Sequence, residues 1–187
     1  MEDKMSKVCV FFAEGYEEIE ALTVVDILRR AGIETETVSV TGNKTVVSSH
    51  QVPVVMDKLF EDVDFALVDM LVLPGGMPGT KNLEAYAPLM EQVDAFYENG
   101  KYVAAICAAP SILGHRGMLK GRTACSFPDF ESHLEGAQVT GNSVELDGNV
   151  ITSRGMGCAI DFGLKIVSVF NGQEAADALA EKIVYTK

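Results

Sequence analysis

One cysteine of this 187-residue chain stands where a cysteine can do chemistry. In "YVAAICAAPSIL" (102–113) an apolar run of strand length climbs to Cys107 and turns at once into small residues and Pro110. A thiol at a strand-to-helix junction lies beneath unpaired backbone N–H groups and the positive end of the helix, and both favour a thiolate. Ala105 and Ala108 leave room for a tight bend, the cysteine counterpart of the strained serine turn of hydrolases. Most free cysteines are small buried hydrophobes, and that reading stays open beside the reactive one. The other three lean towards it. Cys9 falls inside an apolar strand run, Cys125 follows "GRTA" at the start of another strand, and Cys158, near a helix start, ranks second for reactivity.

Three acidic residues, Glu17, Glu18 and Glu20, open a helical segment. Carboxylates in a first turn complement the helix dipole, which suffices for two of them. Glu20 has the apolar neighbours Ile19, Ala21 and Leu22, so it is placed to face a crevice. A buried carboxyl there keeps its proton to higher pH and could donate a hydrogen bond to a thiolate. Gly75 and Gly76 either turn the chain or offer bare backbone N–H groups to an oxyanion. Arg154 in "TSRGMG" (152–157) is a surface arginine or an anion-attracting group beside the site. No cysteine pair has CxxC spacing, and His50, His115 and His133 make no zinc pattern with the cysteines, so no metal site is expected.

The elements that must position these residues alternate in type. Apolar strand-length runs occur at 7–12, 69–76 and 102–106, and an alternating one at 34–40. Helical spacing marks 17–32, 87–100 and 109–117, with two closing helices separated by Asn171-Gly172. "VVSS" and "VPVVM" read as a small hairpin, and Asp147-Gly148 between two alternating runs as another. Strands that are apolar on both faces and alternate with helices form a parallel sheet covered on both sides. Sites in such sheets form at the carboxyl ends of strands. Three loops belong there: "AEGYEEIE", "PGGMPG" and "CAAPS". The expectation is one domain over 7–187, preceded by a solvated lead-in over 1–6, with Met5 an alternative start.

Composition narrows the partners. The chain carries 27 acidic against 15 basic residues, a net charge of −12, which opposes a nucleic-acid backbone or an anionic membrane. Hydrophobic residues make up 48%, enough for a large core, and no apolar run approaches the roughly 20 residues of a membrane span. The charged start "MEDKMSKV" lacks the apolar region of a secretory signal, and unpaired cysteines suit a reducing compartment, so a cytoplasmic protein is expected.

With these motifs in order, the chain resembles the ThiJ/PfpI superfamily, and within it the branch of the Parkinson-disease-associated redox and deglycase protein. "AEGYEEIEALTVVDILRRAGI" (13–33), "LVLPGG", "AAICAAP" and "TSRGMG" carry the resemblance along nearly the whole chain. It implies a flavodoxin-like, doubly wound, mostly parallel sheet between helices, similar to class I glutamine amidotransferases, and a homodimer. It implies Cys107 as the reactive cysteine, Glu20 as its protonated partner, and Gly76 and Ala108 as backbone N–H donors. The pattern also departs. Ala108 stands where the protease-like branch has a histidine, and Phe127 in "CSFPDF" where the deglycase branch has one. His50 stands for an arginine near the dimer-facing hairpin, Ala109 for a glycine and Met156 for a proline.

The reading is therefore a cytoplasmic stress-response protein whose Cys107 reacts with peroxide or small reactive carbonyls. Any glyoxalase- or deglycase-like turnover would be slow and need no metal or organic cofactor. A cysteine-dependent protease or amidase is the alternative, and the missing Cys–His pair counts against it. A non-catalytic chaperone or regulatory module is the third, and it would survive replacement of Cys107.

Overall fold

The computed structural model describes residues 6–186, so most of the expected lead-in lies outside the described residues. β1 (Lys7–Phe12) leads into α1 (Glu18–Arg30) and β2 (Glu34–Ser39). A hairpin of β3 (Thr45–Val47) and β4 (Pro53–Val55) follows, then the short β5 (Lys58–Leu59). β6 (Met70–Leu73), α2 (Gly79–Ala85), α3 (Ala87–Glu98), β7 (Tyr102–Ile106) and α4 (Pro110–His115) form the middle of the chain. β8 (Thr123–Ala124) pairs with β9 (Gln138–Val139) in a separate small sheet. β10 (Val144–Asp147) and β11 (Val150–Ser153) form the hairpin at Asp147-Gly148, and α5 (Ala159–Asn171) and α6 (Gln173–Lys182) close the chain.

The main sheet has the order β10-β11-β7-β6-β1-β2-β5, parallel throughout except for β10. The interior position of β1, between β6 and β2, explains the unbroken apolar run "VCVFF". Val8, Val10 and Phe12 pack with Val24, Ile27 and Leu28 of α1 and Phe162 and Ile166 of α5. Cys9 and Phe11 point the other way, against Val93 and Phe96 of α3 and Ile112 of α4. Successive side chains alternate across a strand, so a strand buried on both faces must be apolar at every position.

The chain winds outward from β1 to β2, then returns to place β6 on the other side of β1. This reversal is a topological switch point, and a site forms there at the strands' carboxyl ends. The expected strands and helices are present. α2, β5, β9 and several 3-10 turns were not foreseen. α2 begins "GTKNLEA", which has neither a side-chain cap nor an apolar stripe long enough to read.

Candidate functional site

Cys107 is the residue directly after β7, and its φ is +67°. A non-glycine side chain in that region costs about 1–3 kcal/mol and persists only where its surroundings fix it. Two backbone bonds do so here. The Cys107 N–H donates to Ser153 O at 2.9 Å, and Phe127 N–H donates to Cys107 O at 2.8 Å. The thiol is half-buried.

Glu20 lies in the first turn of α1 and is 1% exposed. Its Oε2 accepts the Gly75 N–H at 3.0 Å, and its carboxyl is hydrogen-bonded to the Cys107 side chain. Gly75 was expected among the oxyanion donors; its N–H is taken by Glu20 instead. The N–H groups of Ala108 and Gly76 are directed at the Cys107 sulfur. The packing admits no side chain at Gly75, where a Cβ would fall 2.6 Å from Cys107 Cβ and 2.9 Å from Ile106 O. At Gly76 it would meet the backbone of Tyr16 and Glu17, because the loops after β1 and β6 lie against each other. Glu17 N–H donates to Gly75 O at 2.9 Å and joins them.

The electrostatics belong to the pair. Burial pushes the Glu20 carboxyl up to about 7, against the hydrogen bonds from Cys107 and Gly75. Burial also pushes the Cys107 thiol above its ordinary value, and an ionised Glu20 adds to this, while the Ala108 and Gly76 N–H groups oppose it. The elbow alone therefore does not depress the thiol as the sequence suggested. Two raised groups in contact hold one proton between them over a wide pH range. Cys9 is pushed up to about 12 and Cys125 to about 11, chiefly by burial.

A wall that the sequence reading did not single out is Gly155. A Cβ there would lie 3.5 Å from the Phe127 ring, 3.9 Å from Cys107 Sγ and 3.9 Å from Glu20 Oε1. Backbone, thiol, carboxyl and aromatic ring thus bound one small space. Its only advance signal was the glycine pair of "TSRGMG". Arg154, by contrast, is turned towards Gly141 O and Glu131, at 3.4 and 4.0 Å. His50 Nδ1 sits 3.0 Å from Glu18 and 3.6 Å from Glu17. Among the described residues these three side chains are the one group of three or more whose ligand atoms all lie within 4.8 Å of one another. His115 and His133 bond to each other, and His115 also to Glu84. Among the described residues no histidine is hydrogen-bonded to Cys107.

A family model described as the DJ-1/PfpI family matches residues 6–169. The chain belongs to the DJ-1/PfpI family. Protein dj-1beta of Drosophila melanogaster is 34% identical over 177 residues, covering 94% of this chain and 95% of that protein. The glutathione-independent glyoxalase DJR-1.2 of Caenorhabditis elegans is 30% identical over 177 residues, with 93% of each covered. DJ-1 homolog B of Arabidopsis thaliana is 34% identical over 98% of this chain, but the chain spans only 42% of its length. Homolog A is likewise spanned over 45% of its length. Among solved structures, oxidised Toxoplasma gondii DJ-1 superposes with a TM-score of 0.93 at 35% identity, covering 97% of this chain and 100% of that one. The flavodoxin-like architecture is thus that of the DJ-1/PfpI family, and no described helix is long and apolar enough to cross a membrane.

Proposed function

We propose that this DJ-1/PfpI chain is a cytoplasmic stress-response protein that uses Cys107 on small reactive carbonyls and peroxide, with glyoxalase- or deglycase-like chemistry and no cofactor. The contact between Cys107 and the buried Glu20 carboxyl carries the reading. The sulfur receives N–H groups from Ala108 and Gly76 and the carboxyl that of Gly75; the reacting form of the pair is the one with its negative charge on sulfur and the proton on Glu20.

In that state Sγ attacks the aldehyde carbon and a C–S bond forms. The carbonyl electron pair becomes an oxyanion and takes the Glu20 proton. For a 2-oxoaldehyde, the freed carboxylate can then move the aldehyde hydrogen, as a proton, from C1 to C2, while the proton of the C1 hydroxyl passes to the C2 oxygen and leaves a thioester at C1. Water releases the acyl group from sulfur as a 2-hydroxy acid, and the oxidation at C1 balances the reduction at C2. Phe127, beside the site, neither accepts nor donates a proton, so Glu20 bears every transfer and turnover is slow. The glyoxalase activity named for the Caenorhabditis relative supports the same substrate class.

A cysteine protease or amidase would need a histidine on the thiol, and the three histidines are engaged elsewhere. We also propose a homodimer, formed through the exposed Ile19 of α1 and Val52 and Val55 of the β3–β4 hairpin. The decisive measurement is methylglyoxal consumption by the purified chain without added thiol or metal, beside the Cys107→Ser variant. Turnover that depends on Cys107 is expected. Equal rates in the two proteins would end the proposal and favour a non-catalytic role.

A further inference from the structure

Two histidines form a cluster that the proposed chemistry does not use. His115 ends α4, and His133 ends the 3-10 turn Pro128–His133. Glu84 Oε1, from α2, lies 2.6 Å from His115 Nδ1, and His115 Nε2 lies 3.0 Å from His133 Nδ1. A carboxylate only accepts, so His115 donates from Nδ1 and presents a lone pair at Nε2. His133 Nδ1–H donates to that lone pair. The two rings meet edge to face with centroids 5.1 Å apart. Both histidines are exposed and Glu84 is half-buried, so the cluster is open to solvent.

We propose that His115 Nε2 and His133 Nδ1 are the two protein ligands of a divalent transition-metal site of zinc type, with Glu84 orienting His115 and water completing the shell. Three observations carry this. The nitrogens are 3.0 Å apart, close to the roughly 3.3 Å edge of a tetrahedron with Zn–N bonds of about 2.0–2.1 Å. The carboxylate on the far nitrogen of His115 is the outer partner that ligating histidines ordinarily have, and it fixes the tautomer that ligation needs. The spacing of the rings is also set by backbone: a Cβ at Gly114 would overlap the carbonyl of His133, so α4 and the turn touch directly. Phe130 packs on His133 from the same turn, with centroids 5.8 Å apart.

Imidazole suits zinc, copper and nickel rather than magnesium or calcium. On binding, His133 moves its Nδ1 proton to the other ring nitrogen, so no net proton is lost, and the rings turn so that the two nitrogens, which face each other along the hydrogen bond, converge on the metal. The Glu17–Glu18–His50 group is the weaker candidate, because its carboxylates raise the proton affinity of His50 and a protonated imidazole does not ligate. A metal at His115 and His133 would pin α4 to the turn that begins one residue after Phe127.

The test is zinc titration of the full chain against a chromophoric chelator. Wild type should bind one equivalent. His115→Asn and His133→Asn should each weaken it at least tenfold, and Glu84→Gln by about tenfold. His50→Asn and Cys107→Ser should leave it unchanged. Zinc should also slow amide exchange over 128–134 in wild type but not in His133→Asn. Affinity lost in His50→Asn or Cys107→Ser, retained in both His115→Asn and His133→Asn, or absent below millimolar zinc in wild type would each overturn the site.

Discussion

The amide of Phe127 donates to the carbonyl oxygen of Cys107 at 2.8 Å, so the ring beside the thiol is anchored to the thiol's own backbone. Gly155 leaves that ring and the sulfur facing one space. The position therefore suits a base, and phenylalanine supplies none. Phe127→His should raise kcat for methylglyoxal about tenfold, equivalent to roughly 1.4 kcal/mol of barrier. Oxidation of Cys107 by peroxide should change less than about twofold, since thiolate formation rests on Glu20 and the N–H groups. Steady-state turnover and intact mass on the same preparations separate the two effects. An unchanged kcat would mean that proton transfer does not limit the reaction.

Glu20 decides where the pair's charge sits. Burial pushes the Cys107 thiol up and an ionised Glu20 adds to that, whereas a protonated Glu20 donates to the thiolate. By removing the protonated form, Glu20→Leu should move the half-point of Cys107 alkylation upward by about one pH unit or more, slowing labelling at pH 7 about tenfold. Peptide mapping over a pH series gives the profile for each cysteine. Faster labelling in the variant would show that the Glu20 carboxylate repels the thiolate more than its proton stabilises it.

The same carboxyl makes stability depend on pH. Its folded value, about 7, lies above the ordinary 4.5, so the folded state keeps a proton that the unfolded chain releases. The contribution is complete below about pH 4.5 and is lost as pH rises through 7, a fall of about 3 kcal/mol. Urea unfolding of wild type should show that decline between pH 5 and 8. Glu20→Gln should flatten it. A wild-type curve rising over this range would contradict the buried, protonated carboxyl.

Much of this site could be read in the sequence, because the signals are local. The run into Cys107 and Pro110 marks an elbow, and Glu20 among Ile19, Ala21 and Leu22 marks an inward carboxyl. What lay beyond reach depends on contacts between segments far apart in the chain. That Gly75 serves Glu20 rather than an oxyanion follows from the loops after β1 and β6 meeting, 55 residues apart. The upward push on Cys107 comes from burial, which no motif encodes. The pairing of His115 with His133 required α4 to touch the turn at 128–133, made possible by a glycine that reads only as a helix-weakening residue.

The φ of +67° at Cys107 carries its own consequence for stability. Glycine enters that region freely, whereas alanine pays the same steric cost as cysteine while also losing the sulfur's contacts. Cys107→Gly should be more stable than Cys107→Ala by about 1 kcal/mol, despite the glycine's extra unfolded-state entropy. Thermal and urea unfolding of both variants measure this directly. A more stable alanine variant would mean that the elbow relaxes when the thiol is removed.

The last prediction concerns the proposed dimer. Val55 is 69% exposed and Ile19 48%, a high exposure for aliphatic side chains. The hairpin that carries Val55 is tied to the start of α1: Ser49 N–H donates to Tyr16 O at 2.8 Å, and His50 pairs with Glu18. The apolar residues of both elements therefore ride on one rigid unit, which a two-fold axis could pair with its own copy. Light scattering at micromolar concentration should give twice the 20.1 kDa chain mass, and Val55→Glu should bring it down to that of one chain. The substitution is on the surface, so far-ultraviolet circular dichroism should be unchanged. A wild type that scatters as a single chain would remove the dimer, and a Val55→Glu protein that still scatters as two would move the interface elsewhere.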